Sequence, residues 1–240
     1  MDKHWEGMYQ KDKYARDRVI KSVRMLLPHL KKGDTVVDVG CFTQEAKKYL
    51  PSNVSYIGID RVAYHKDNKI VDLQTTDLTL PEGQHIVCLE TLEHLLQPKK
   101  CLQVIAASLP EDGHFLVSLP NEATAFHRIR CLFGTVDADA FQSGSKHLHL
   151  PSIKQSELFV SQTFDIVASK YYISPSGCGS RQLWVGRLLS LIPDCIHQLL
   201  ADFCPSLFAR GVIFLCKKKD SKCCHNPGKC AVEHTAKLKK

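Results

Sequence analysis

Val36-Val37-Asp38-Val39-Gly40-Cys41 is an apolar run that ends at a glycine, and Tyr56-Ile57-Gly58-Ile59-Asp60 is a second run that ends at a carboxylate. Asp38 and Asp60 stand 22 positions apart. A strand that stops at a glycine turn lets the backbone approach a ligand closely. An acidic residue about 20 positions on, at the tip of the next strand, can accept hydrogen bonds from both hydroxyls of a ribose. The pair predicts a nucleoside-cofactor site on an open α/β sheet.

The turn itself narrows the cofactor. A dinucleotide fold uses G-x-G-x-x-G so that a helix N-terminus meets a pyrophosphate. Here only Gly40 is present, and Asp38 lies two residues before it. A carboxylate in that turn repels a diphosphate and suits a ligand with positive charge, such as the amino group and sulfonium of S-adenosylmethionine. At this point the chain resembles the class I S-adenosylmethionine-dependent methyltransferases, whose first motif reads roughly D-x-G-x-G-x-G and whose second strand is followed by an acidic residue. The resemblance implies that Asp38, Gly40 and Cys41 border the methionine part of the cofactor, and that Asp60, with Arg61 beside it, holds the ribose. Phe42 and Gln44 stand where the family has its second and third glycines, so side chains occupy a turn that is usually bare backbone.

Further runs follow in the order the family implies. Ile70-Val71-Asp72-Leu73 resembles the short third strand whose end contacts adenine, which makes Asp72 and Leu73 cofactor candidates. His85-Ile86-Val87-Cys88-Leu89 reads as a buried fourth strand, and His114 to Asn121 as a fifth. Between them, Pro98 to Leu109 carries Leu102, Val104, Ile105 and Leu109 at helical spacing and stops at Pro110. Phe164–Ile173 and Gly211–Cys216 are the last two strands, paired as the antiparallel hairpin typical of the family. The expected fold is α/β: a Rossmann-like, doubly wound, seven-stranded and mostly parallel sheet with a C-terminal antiparallel hairpin. Ligands in such sheets sit at the carboxyl ends of the strands, where Gly40, Asp60, Asp72 and Glu90 fall.

Glu90-Thr91-Leu92-Glu93-His94 follows the fourth strand directly. If it opens a helix, Glu90, Glu93 and His94 share one face at i, i+3 and i+4 and present a plausible metal face. Similar E-x-x-E-H segments are magnesium or zinc ligands in ubiquinone-pathway O-methyltransferases and small-RNA 2′-O-methyltransferases, where a later histidine completes the site. His147 or His149 is the candidate here, and such an ion would polarise an acceptor hydroxyl. The alternative is metal-free: the first carboxylate borders the cofactor, and a histidine orients a loop or takes a proton. His94, His147 and His149 are therefore the catalytic candidates, with the metal left open. Asn121, His127, Arg128 and Arg130 follow the fifth strand, where this architecture recognises its acceptor.

The 240 residues, 44% hydrophobic and 24% charged, supply one large core rather than two. One methyltransferase domain is expected over 1–219, with an N-terminal helix near 15–30, an acceptor-side insert near 121–150 and an apolar helical insert near 181–208. That insert caps an apolar substrate, packs a dimer, touches a membrane surface as a peripheral contact or completes the core. Gly186, Arg187, Pro193 and Asp194 interrupt it, so no membrane span is expected. Residues 220–240 read as a disordered basic tail, in which Cys223, Cys224, His225 and Cys230 lack a paired C-x-x-C. Much of the +7 net charge lies there, so charge alone does not indicate a nucleic-acid partner. Eleven scattered cysteines and an N-terminus with no apolar core point to the cytoplasm.

The reaction expected is in-line methyl transfer to an oxygen or nitrogen of a small-molecule acceptor by a monomer or homodimer. The alternatives are a metal-assisted RNA 2′-O-methyltransferase, and a chain that keeps the fold without catalysis and binds a partner.

Overall fold

The computed structural model describes residues 13–75, 77–134, 147–173 and 193–219. The polar stretch Thr135–Ser145, the first part of the apolar insert with Arg181 and Arg187, and the tail from residue 220 lie outside the described residues. The elements are α1 (Lys13–Leu26), β1 (Thr35–Val39), β2 (Ser55–Asp60), β3 (Lys69–Ile70), β4 (His85–Leu89), α2 (Pro98–Ser108), β5 (His114–Pro120), α3 (Ala125–Leu132), α4 (Ile153–Ser161), β6 (Phe164–Tyr172), α5 (Asp194–Phe203), α6 (Pro205–Phe208) and β7 (Gly211–Lys218).

Seven strands form one sheet in the order β3-β2-β1-β4-β5-β7-β6. The pairs from β3 to β5 are parallel, whereas β7 runs antiparallel to both β5 and β6. A bulge between Ile166 and Ala168 interrupts the register of the last pair. The architecture is the one that the apolar runs and the family resemblance together imply.

Alternation along the strands divides the core into two layers. Val37, Val39, Ile86, Cys88, Phe115, Val117, Leu119, Val212 and Phe214 pack on one face with Leu102 and Ile105 of α2 and Ile153 and Val160 of α4. Val36, Val87, Leu116, Ile213 and Leu215 pack on the other with Met25 and Leu26 of α1. Both faces are covered, which is why β4 and β5 read as continuous apolar runs rather than as alternating ones.

The third strand is shorter than expected. Only Lys69 and Ile70 pair with β2, and Val71 to Leu73 leave the sheet. Helix α4 adds an element that the strand pattern does not predict. Its cap is written in the sequence: Ser152 accepts from the Gln155 backbone N–H while the Gln155 side chain accepts from the Ser152 backbone N–H.

Because β7 is antiparallel to β5, Gly211 lies opposite Pro120 and Tyr172 opposite Gly211. The C-terminal ends of β1, β2, β4, β5 and β6 and the start of β7 therefore lie at the same end of the strands.

Candidate functional site

The loop after β1 follows the path of a glycine-rich turn with only one glycine. Gly40 has φ +75°, and a Cβ there would land on the Thr91 side chain. The backbone N–H groups of Gly40 and Cys41 both donate to the Ile59 carbonyl, at 2.9 and 3.1 Å. Phe42 (φ +45°) and Gln44 (φ +59°) also adopt the left-handed conformation. For residues with side chains this costs roughly 1–2 kcal/mol each, so other contacts must hold them.

Those contacts are explicit. The Phe42 N–H donates to Asp60 Oδ2 at 2.9 Å, and the Phe42 ring lies 4.4 Å from that of Tyr64. Gln44 is buried and donates through Nε2 to Asn68 Oδ1 at 2.7 Å, while Asn68 Nδ2 donates to the Phe42 carbonyl at 2.8 Å. The side chains that replace glycine thus tie the loop to the segment after β2.

Asp60 also accepts the Val62 N–H on Oδ1 at 3.2 Å. Each of its oxygens accepts one backbone hydrogen bond and keeps a lone pair, the capacity that two ribose hydroxyls require. Asp38 is buried and accepts from the Tyr56 hydroxyl at 2.6 Å. Burial, aided by the Asp60 charge and opposed by the Tyr56 bond, pushes its carboxyl up to about 7. A carboxylate so desolvated favours a cationic ligand. Cys41 is buried against Gly58, and burial raises its thiol well above the ordinary range, so it is a packing residue. Arg61 is exposed, Leu73 is buried in the core, and Asp72 accepts from the Gln74 N–H at 2.9 Å to shape the turn after β3.

The segment after β4 departs from the expected helix. Glu90 has φ +50°, and only Leu92–His94 make a single 3-10 turn. Glu90 consequently turns away from Glu93 and His94. Its Oε1 accepts from the Ser118 hydroxyl at 3.0 Å and the Tyr172 hydroxyl at 2.8 Å, and Arg18 lies 3.5 Å from Oε2. Arg18, Ser118 and Tyr172 are residues that motif reading missed, since they come from α1, β5 and β6. A cleft of ≈ 230 Å³ opens beside them, lined by Arg18, Lys21, Tyr172, Asp194 and Gln198 among others.

Glu93, His94 and His147 do converge. One donor atom from each lies within 4.8 Å of the others. His147 Nε2 is 3.8 Å from Glu93 Oε1, its Nδ1 is 2.8 Å from Glu122 Oε1, and its ring meets His94 edge-on at 4.8 Å. The Glu93 side chain is fully buried and neither of its oxygens accepts a hydrogen bond. Burial, with Glu90 and Glu122 nearby, raises its carboxyl well above the usual range. Burial works in the same direction on Glu122, but the His147 bond and the Arg210, His147 and His127 charges outweigh it and hold that carboxyl low.

His149 sits apart from the cluster. Its Nε2 is 2.8 Å from the Leu95 carbonyl, and the Leu148 and His149 N–H groups donate to the Glu93 carbonyl. It anchors the loop that delivers His147. Asn121 is also structural: its fully buried amide donates to the carbonyls of Ala209, Ser206 and Pro205, pinning α6. His127 lies 3.9 Å from Glu122, Arg128 donates to the Ala123 carbonyl at 2.8 Å, and the Arg130 side chain is outside the described residues.

Residues 11–158 match the family model described as "Methyltransferase domain". The chain belongs to the class I S-adenosylmethionine-dependent methyltransferases. A solved S-adenosylmethionine-dependent methyltransferase from Archaeoglobus fulgidus superposes on this methyltransferase with a TM-score of 0.58 at 16% identity, covering 90% of this chain and 100% of that one. The N-methyltransferase NodS from Bradyrhizobium japonicum, solved with S-adenosylhomocysteine, gives 0.56 at 12% identity over 89% and 91% of the two chains. Magnesium protoporphyrin IX methyltransferase from Synechocystis, also with bound S-adenosylhomocysteine, gives 0.56 at 12% over 90% and 93%. Identities this low speak for the fold alone. A search of curated proteins gave no match. Among the described residues no helix is long and apolar enough to cross a membrane.

Proposed function

We propose that this methyltransferase transfers the sulfonium methyl of S-adenosylmethionine to an oxygen or nitrogen of a small-molecule acceptor by direct in-line displacement. The observation that carries the reading is Asp60 at the end of β2, whose two oxygens each accept one backbone N–H and retain a lone pair. Asp60 receives the ribose hydroxyls, and Asp38, beneath Gly40, faces the positively charged methionine end.

The chain's own groups account for the rest of the step. Glu90, fixed by Ser118, Tyr172 and Arg18, borders the cofactor and sets the wall between it and the acceptor. Alignment and exclusion of water supply most of the rate. Transfer forms a bond from the acceptor atom to the methyl carbon, breaks the carbon–sulfur bond to leave S-adenosylhomocysteine, and releases the acceptor's proton. The His94–His147 pair takes that proton, with His147 oriented through Nδ1 by Glu122. His149, held at the Leu95 carbonyl, positions this loop. The buried free thiols of Cys41, Cys88, Cys101 and Cys216 support a reducing, cytoplasmic setting.

Calorimetric titration with S-adenosylmethionine and with S-adenosylhomocysteine tests the proposal. Micromolar binding that is lost in Asp60→Ala is the expected result. Absence of binding to both ligands in the folded wild-type protein overturns the enzyme reading.

A further inference from the structure

We propose that Asn68, held in turn by Gln44, is a positioning residue for Asp60: it fixes the backbone of Phe42, and that backbone fixes the carboxylate that receives the ribose. The ribose half of the proposal rests on the cofactor reading given above, whereas the hold on Asp60 rests on the bonds themselves.

Phe42 and Gln44, at φ +45° and +59°, occupy left-handed backbone that residues with side chains rarely adopt. Such angles persist only where the surroundings over-determine them, and they cluster in functional segments. Here the surroundings are one chain of hydrogen bonds. Lys47 Nζ donates to Gln44 Oε1 at 3.2 Å, and Gln44 Nε2 donates to Asn68 Oδ1 at 2.7 Å. Asn68 Nδ2 donates to the Phe42 carbonyl at 2.8 Å, and the Phe42 N–H donates to Asp60 Oδ2 at 2.9 Å. The last two bonds flank the Phe42 Cα, so they constrain its φ and its ψ together.

The direction of the chain is set at both ends. A backbone carbonyl only accepts, and an ammonium only donates. The Asn68 nitrogen must therefore face Phe42, its oxygen must face Gln44, and the Gln44 oxygen must face Lys47. Gln44 and Asn68 are both buried, and each uses both ends of its amide in this chain. The side chain that stands in place of a glycine thus serves as a strut for the turn.

Asn68 is anchored in the segment after β2, where its N–H donates to the His65 carbonyl at 3.0 Å, and the Phe42 ring lies 4.4 Å from that of Tyr64 in the same segment. The Val62 N–H occupies the other oxygen of Asp60. The residues that follow Asp60 in the chain therefore fold back and, through Asn68 and Phe42, set the orientation of Asp60 before any ligand arrives. A group oriented in advance loses less freedom on binding. The benefit falls on the ligand atoms that Asp60 touches, the two ribose hydroxyls, and not on the rest of the ligand.

The test uses the full-length protein and its Asn68→Ala and Gln44→Met variants. Each is titrated calorimetrically with S-adenosylhomocysteine and with its 2′,3′-dideoxy analogue, and hydrogen exchange of the Phe42 amide is followed by NMR without ligand. Asn68→Ala should weaken S-adenosylhomocysteine about tenfold, the worth of roughly one hydrogen bond. It should leave the dideoxy analogue unchanged and speed Phe42 exchange by a similar factor. Gln44→Met, which lacks the donor, should give a smaller loss of the same kind. The double variant should bind no more weakly than Asn68→Ala, because Gln44 acts through Asn68. If Asn68→Ala does not fold, the same comparison of the two ligands in Gln44→Met decides. Unchanged affinity for S-adenosylhomocysteine overturns the proposal, and so does a loss shared equally by the dideoxy analogue, which would make Asn68 a support of the whole loop with no special tie to Asp60. Wild-type protein that binds neither ligand overturns the cofactor reading; faster Phe42 exchange in Asn68→Ala then still supports the hold on Asp60, and unchanged exchange overturns it.

Discussion

Replacing Asp38 by Asn should make the ligand-free protein more stable at alkaline pH and a poorer receptor for S-adenosylmethionine. In the fold, burial and the Asp60 charge raise the Asp38 carboxyl from 3.8 to about 7, against the opposing bond from Tyr56. The folded state therefore holds a proton that the unfolded chain has released, and the stability this provides is lost as pH rises from about 4 to about 7. Between pH 5 and pH 7 the loss is about 1.4 kcal/mol per unit, or about 3 kcal/mol in all, as an upper figure. Asn keeps an acceptor for the Tyr56 hydroxyl and carries no charge, so the variant should lack this slope. The assay is urea unfolding of both proteins at several pH values from about 5 to about 8.5. The stability difference between the Asp38→Asn variant and the wild type should grow with pH up to about 7 and then level off. The cofactor's positive charge offsets the same carboxylate, so wild-type affinity for S-adenosylmethionine should rise through this window more steeply than affinity for the uncharged-sulfur product. Parallel pH–stability curves for the two proteins would refute the reasoning, because they would mean that Asp38 is ionised at no cost.

At the opposite end of the strands, His114 is buried, stacked on His29 at 4.1 Å and near His85, and burial together with those neighbours and Lys217 lowers it to about 4 against the pull of Asp112. Its contribution has the reverse sign: complete above about pH 6.5 and lost as pH falls toward 4, so His114→Phe should flatten the acid limb of a thermal-melt series. Gly40→Ala should cost at least about 2 kcal/mol, from the φ of +75° and the clash with Thr91, and should abolish cofactor binding by calorimetry. Gln44→Gly should relieve roughly 1 kcal/mol of left-handed strain yet leave Asn68 Oδ1 without its buried donor at roughly 1–3 kcal/mol, giving a net destabilisation in chemical unfolding. Asn121→Ala should lower stability by roughly 1–3 kcal/mol in chemical unfolding, since the Ala209 and Ser206 carbonyls lose the amide donor and the Ala123 N–H loses its acceptor.

The strands were legible because interior parallel strands bury both faces, so β1, β4 and β5 leave uninterrupted apolar runs in the sequence. The place of Asp60 at the tip of β2, next to the end of β1, was legible because a second apolar run of strand length ends there. What escaped was conformation and long-range encounter. Nothing in the letters at positions 42, 44 and 90 announces φ values of +45°, +59° and +50°; those angles are imposed by Asp60, Asn68 and Ser118. The expected face of Glu90, Glu93 and His94 fails for the same reason. A positive φ at Glu90 swings it toward α1 and β6, and a residue more than 50 positions on, His147, takes its place beside Glu93. The two carboxylates of one pentapeptide thus meet different neighbours, Glu90 the side chains of Arg18, Ser118 and Tyr172 and Glu93 that of His147. That division would be lost if the segment formed the regular helix that its spacing suggested, because both carboxylates would then crowd one face. The positive φ at Glu90 keeps them apart, and its relief by Glu90→Gly should loosen Arg18 and Tyr172 while leaving the Glu93–His147 distance unchanged.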